Sequence, residues 1–163
     1  MVRSELWMQI EMCVKIILSF FVGLIIGYER KRTKHSYTIL RTHVLVCLGA
    51  TLATLCGVFI NEYGTNSVDL ARIPAQVLPS VGFMGMAVIM KRENKVTGLS
   101  TAASIWLVAC LGIAIGLGFF TGVLLTTILA LITLIKFVRP DEKEKDQNEE
   151  NNKSENNEEF PAE

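Results

Sequence analysis

Two sets of polar residues at the edges of apolar runs carry side chains that could do chemistry. Glu29 and Arg30 close the first run, and Arg41, Thr42 and His43 open the second. A carboxylate, two guanidinium groups, a hydroxyl and an imidazole so close together could hold an ion, a lipid headgroup or a charged partner. The competing reading is that basic residues here only fix orientation in a bilayer and touch lipid. Lys31, Arg32 and Lys34 fit that reading. The second set is Asp69, Arg72 and Gln76 at the start of the third run. Asp69 and Arg72 are three apart, close enough for a local ion pair. Gln76 lies one turn on, roughly on the face of Arg72. An amide inside an apolar run needs a partner, so these three read either as a helix-start ion pair or as a polar pocket.

Other chemistries are excluded by what the sequence omits. It has no nucleophile elbow, phosphate loop, His-Glu-x-x-His or paired carboxylates within one run, so no enzyme and no cofactor are expected. The cysteines Cys13, Cys47, Cys56 and Cys110 each fall in an apolar run, and none forms a Cys-x-x-Cys pair. They read as small apolar groups, and no metal site is expected. Nothing suggests a nucleic-acid partner.

The elements that position these residues are apolar and long. Half of the 163 residues are hydrophobic, and the mean hydropathy is +0.39. That is one domain whose partner is a lipid bilayer. The net charge of zero hides a split. Residues 1–140 carry 13 Lys or Arg against 6 Asp or Glu, and residues 141–163 carry 3 against 10. About 17–25 residues span a bilayer as a helix. The expected fold is therefore an all-α transmembrane bundle of five spans: 9–28, 42–60, 73–90, 101–117 and 120–138. Glu5 and Glu11 spoil the basic start of a signal peptide, so the first run is read as a retained helix.

The last two spans come from one apolar stretch, Thr101 to Val138, broken at the glycine cluster around 116–121. The third is the unusual one, since Pro79 should kink or interrupt it. Glu11 and Lys15, four apart in the first span, are placed to pair.

Basic loops are retained in the cytoplasm. Residues 29–41 and 91–95 are basic, which puts residues 1–8 outside and the acidic, disordered tail 139–163 inside. Small residues recur on the helices as seams for close contact. They are Gly23 and Gly27; Gly49, Ala53 and Gly57; Gly82 and Gly85; and Gly112 and Gly116.

Four fragments in order carry a family resemblance. They are Gly23-Leu-Ile-Ile-Gly27-Tyr-Glu29-Arg30; Leu40-Arg41-Thr42-His43 with Gly49-Ala50; Asp69-Leu-Ala-Arg72 through Gln76 to Gly82 and Gly85; and Val96-Thr-Gly98-Leu99-Ser-Thr101 to Trp106. Over residues 20–120 the chain resembles the membrane domain of the MgtC/SapB family. The resemblance implies a protein of the bacterial cytoplasmic membrane, linked to magnesium limitation and acid stress. It implies a regulator working by intramembrane contact with another complex, ATP synthase being the case suggested for some members. The alternative is a small homo-oligomeric ion transporter or channel. No Asp or Glu lies mid-span, which counts against selective magnesium transport. The chain departs from the family at Thr38-Ile39 and at Pro79, Ser80, Met86 and Ala87. It shows an acidic tail where many members carry a soluble domain.

Overall fold

The computed structural model describes residues 2–34, 37–64, 69–92 and 95–135. The described chain is helical apart from one small hairpin. Its elements are α1 (Val2–Lys34), α2 (Tyr37–Tyr63), α3 (Arg72–Met86), β1 (Met90–Arg92), β2 (Lys95–Thr97), α4 (Leu99–Leu117) and α5 (Phe120–Ile135). The expected all-α bundle is the fold observed. Tail residues 139–163, with Lys136 and His35, lie outside the described residues.

The distribution of side chains is that of a protein in lipid. Phe20, Phe21, Leu45, Leu52, Phe83, Leu124 and Leu125 are exposed, while Ser19, Arg30, His43, Thr51, Thr54 and Ser104 are buried. In water this surface would be an aggregation liability; in a bilayer lipid tails cover it. Among the described residues three helices are long and apolar enough to cross a membrane: Leu6–Arg32 within α1, Tyr37–Tyr63 and Leu99–Leu117. The 15 residues of α3 reach about 22 Å at about 1.5 Å per residue. That is less than the about 30 Å of a hydrocarbon core.

Helices α1, α2 and α4 form the tight part of the bundle. One apolar cluster joins Val22 and Ile26 to Cys47, Val108, Leu111 and Ile115, with Val123 from α5. A second joins Val46 and Ala50 to Val81, Ile105, Ala109 and Ile113. Helix α3 leans on α4 and barely touches α2. Glycines set the close approaches. A Cβ on Gly23 would stand 3.0 Å from the Val44 Cα, and one on Gly27 would stand 3.1 Å from the Leu40 carbonyl oxygen. A Cβ on Gly112 would be 2.5 Å from the Cys47 carbonyl oxygen, and one on Gly116 would be 2.6 Å from the Thr54 Cβ. The Thr51 hydroxyl lies 2.9 Å from the Gly112 carbonyl oxygen and 3.0 Å from that of Cys47, so it bridges the two helices.

The third run differs from its expected course. Pro79 sits inside α3 without ending it, and the helix stops at Met86 rather than continuing to Met90. Turn bonds from Val88 N–H to the Gly85 carbonyl and from Ile89 N–H to the Met86 carbonyl follow. The basic loop is then an antiparallel hairpin, pairing Met90 with Thr97 and Arg92 with Lys95. Gly98, at φ 89°, turns the chain into α4. A Cβ there would collide with the Val88 carbonyl oxygen, so only glycine fits.

Helix α4 ends within the glycine cluster. Gly118 is left-handed at φ 84°, and its N–H and that of Phe119 bond the Ile115 and Ala114 carbonyls, closing the helix end. Lys15 and Glu11 pair at 2.8 Å. Lys15 is only 7% exposed, and its ammonium stands beside Gly118.

Candidate functional site

Where α1 ends and α4 begins, three helices contribute to one buried polar cluster. Arg30 comes from the last turns of α1, His43 from the second turn of α2, and Ser100, Thr101 and Ser104 from the start of α4. Arg30 is 1% exposed and His43 is 0% exposed. Arg30 Nε donates to Ser104 Oγ at 3.2 Å. Its second terminal nitrogen donates to the carbonyl and hydroxyl oxygens of Ser100. Its NH1 group is buried with no hydrogen-bond partner among the described residues. The guanidinium is thus held by hydroxyls and a carbonyl, while its NH1 nitrogen is unused among the described residues.

The partners of the imidazole fix where its protons sit. His43 Nδ1 lies 2.7 Å from the Ile39 carbonyl oxygen. A carbonyl only accepts, so Nδ1 carries a proton. Nε2 lies 2.9 Å from Ser104 Oγ. In the neutral ring Nε2 accepts the Ser104 hydroxyl proton, and that hydroxyl oxygen accepts from Arg30. Ser104 Oγ is also 2.8 Å from the Thr101 carbonyl oxygen. One proton cannot serve both acceptors, so the hydroxyl has two settings. It points at His43 when the ring is neutral and at Thr101 when Nε2 also donates. Ser104 is therefore the hinge of the network, joined to α1 and α2 at once.

The rest of the first polar set is dispersed. Glu29 is half-buried and Arg41 is exposed. Thr42 turns away, bonding the Thr38 carbonyl at 2.9 Å, and lines a different feature. That feature is a groove of about 550 Å³ between α2 and α3. Its walls include Thr42, Leu45, Gly49, Ala50, Gln76, Ser80 and Met84. A Cβ on Gly49 would meet nothing within 4 Å, and Gly82 of α3 is open in the same way.

Gln76 reaches this groove without its sequence companions. Asp69 is exposed and accepts from the Ala71 N–H at 3.0 Å, a local turn bond, and Arg72 is exposed. The small-residue seam of α2 divides likewise. A Cβ on Gly57 would stand 2.9 Å from Ile73 Cγ1, so this end packs inside the protein, whereas Gly49 faces the groove. Ala53 between them is half-buried. A Cβ on Gly85 would stand 3.6 Å from the Ala102 Cβ of α4, an ordinary packing distance.

The model of the MgtC family matches residues 16–142. The chain belongs to the MgtC family. Protein MgtC of Salmonella typhimurium is 36% identical over 129 residues, covering 78% of this chain and 53% of the relative. Protein SapB of Bacillus subtilis is 30% identical over 148 residues, covering 83% and 63%. YhiD of Escherichia coli O157:H7 is 33% identical over 138 residues, covering 80% and 62%. The chain therefore spans between half and two thirds of the length of these relatives. No solved structure matches it.

The resemblance fragments of this MgtC-family chain meet in space. Gly23 and Gly27 let α2 approach α1, and that approach brings His43 alongside Arg30. Ser100, Thr101 and Ser104 complete the cluster; in the sequence they belong to the fourth resemblance fragment but were not singled out as site residues. Their signal was their spacing: three hydroxyl residues in the first turns of an otherwise apolar helix, with Ser104 one turn beyond Ser100. Thr51 and Thr54 went unnoticed for a related reason. Threonine reads as neutral on any scale, and only the packing shows that Thr51 bonds across to α4.

Proposed function

We propose that this protein is a multi-pass regulator of the bacterial cytoplasmic membrane. It acts by lateral helix contact with another membrane complex during adaptation to low magnesium or acid stress, with no catalysis of its own. Its N-terminus lies outside and its C-terminus inside. The observation that carries this reading is the groove between α2 and α3. Gly49 is open there, and a small residue left bare on a lipid-facing helix is the usual bed for a second helix. The polar motif residues favour the same reading by being used internally, with Arg30 and His43 tied to Ser104. ATP synthase is the partner that the family resemblance suggests.

The second reading is a homo-oligomeric ion transporter. The Gln76 side chain in the same groove favours it, because an amide facing lipid gains from a partner. Against it, the groove lining holds no Asp or Glu to replace the water shell of a divalent ion.

A crosslinked pull-down of tagged protein from native membranes separates the two. Wild type and Gly49→Leu are compared at equal amounts of folded protein. Specific recovery of another membrane complex, lost in the variant, supports the regulator. Recovery of only further copies of the chain, again lost in the variant, supports the oligomer. Equal recovery in both sinks the groove as the contact surface.

A further inference from the structure

The cluster around Arg30 has two unmet demands for the same kind of group. The first is the buried NH1, which has no acceptor among the described residues. The second is the start of α4. Gly98 gives it no side-chain cap, its first turn holds no acidic residue, and its first described intrahelical bond is Ala102 N–H to the Gly98 carbonyl. The preceding N–H groups carry the positive end of the helix dipole, which favours an anion. These demands coincide in space. The Arg30 guanidinium already bonds the Ser100 carbonyl and hydroxyl, so NH1 stands beside that first turn.

From this geometry we infer that the first turn of α4 and Arg30 together form a binding site for a phosphoryl group. Ser100 and Leu99 are exposed, so the turn is open to its surroundings, with the guanidinium directly behind it. An oxygen anion seated on the turn takes the Ser100 hydroxyl and the free N–H donors in front and the arginine charge behind. Arginine suits this task because its fork of donors matches phosphate geometry and its charge persists. The depth also fits. Arg30 lies near the end of the apolar run Leu6–Arg32, and α4 begins its own run at Leu99, so the site sits at the level of lipid phosphates. The group is supplied either by an anionic phospholipid headgroup or by free phosphate. The site is independent of the groove between α2 and α3.

The test uses the full chain reconstituted in vesicles of phosphatidylcholine alone or with phosphatidylglycerol. Native mass spectrometry reads the phospholipid retained after extraction, and thermal unfolding is recorded with and without inorganic phosphate. Arg30→Lys keeps the charge and removes the fork. Ser100→Leu obstructs the exposed turn and leaves Arg30 in place, which keeps the test valid if the first variant misfolds. Lys31→Gln and Arg32→Gln are controls for general basic attraction.

The expected result is retained phosphatidylglycerol that falls about tenfold in Arg30→Lys and Ser100→Leu and holds in both controls. If inorganic phosphate instead raises the unfolding temperature of wild type and of neither site variant, the same site takes the free ion. Equal lipid retention in wild type and both site variants, with no phosphate-dependent unfolding shift, overturns the proposal. So does a loss of retention in the controls as large as in the site variants.

Discussion

Gly112 and Gly49 are both small residues on apolar helices, yet they face opposite surroundings. A Cβ on Gly112 would press on the Cys47 carbonyl oxygen at 2.5 Å, while one on Gly49 would meet nothing within 4 Å. The first belongs to the sealed seam between α2 and α4, the second to the groove between α2 and α3. Around the sealed seam, polar side chains are used up inside the protein: Thr51 bonds α4, and Ser104 joins Arg30 and His43. Along the groove, Gln76, Ser80 and Thr42 line the wall. Glycine spacing alone does not tell these uses apart. What decides is whether a second helix has already taken the space.

The contrast can be broken at the seam first. Gly112→Leu forces a large side chain between two backbones that cannot separate without losing the Thr51 bridge. A loss of about 3 kcal/mol or failure to assemble is expected, read by thermal unfolding in detergent. Ser104→Ala comes next. It strips an acceptor from Arg30 Nε and a partner from His43, and leaving buried groups unpaired costs about 1–3 kcal/mol. Combined with His43→Phe, the two losses should fall short of additive, since the residues share one network. Thr51→Val removes one interhelical bond with little change of shape. About 0.6 kcal/mol is the expected loss, near the average for such bonds in membranes. Gly49→Leu should move stability by no more than about 0.5 kcal/mol, because its new side chain enters open space. An equal loss for Gly49→Leu and Gly112→Leu in the same unfolding assay would erase the distinction.

The helical class and the membrane setting were legible because both follow from hydropathy and run length. The turn at Gly118 falls within the glycine cluster that the sequence displays, since a left-handed helix end favours glycine. The hairpin at 90–97 was not legible. Its strands have three residues each, too short for a period-two pattern, and their charges read as a loop. At the candidate site the sequence singled out Arg30 and His43 but grouped them with Arg41 and Thr42, which face elsewhere. Helical periodicity explains that split. Neighbours in a chain are about 100° apart on a helix, so Arg41, Thr42 and His43 point three ways. Asp69 leaves its set for another reason, since it lies ahead of α3 and bonds its own turn. Ser100 and Ser104 stood only within a resemblance fragment and were given no site role, because a serine in an apolar helix announces nothing until its partner is known.

The most direct measurement is partner recovery from native membranes for wild type, Gly49→Leu and Ser104→Ala, each normalised to folded protein. If the seam holds the bundle and the groove meets the partner, Gly49→Leu loses the partner at wild-type stability. Ser104→Ala then keeps the partner per folded molecule while unfolding more readily. A Gly49→Leu protein that retains its partner, beside a Ser104→Ala protein that loses it at equal folded amount, would contradict that division of roles.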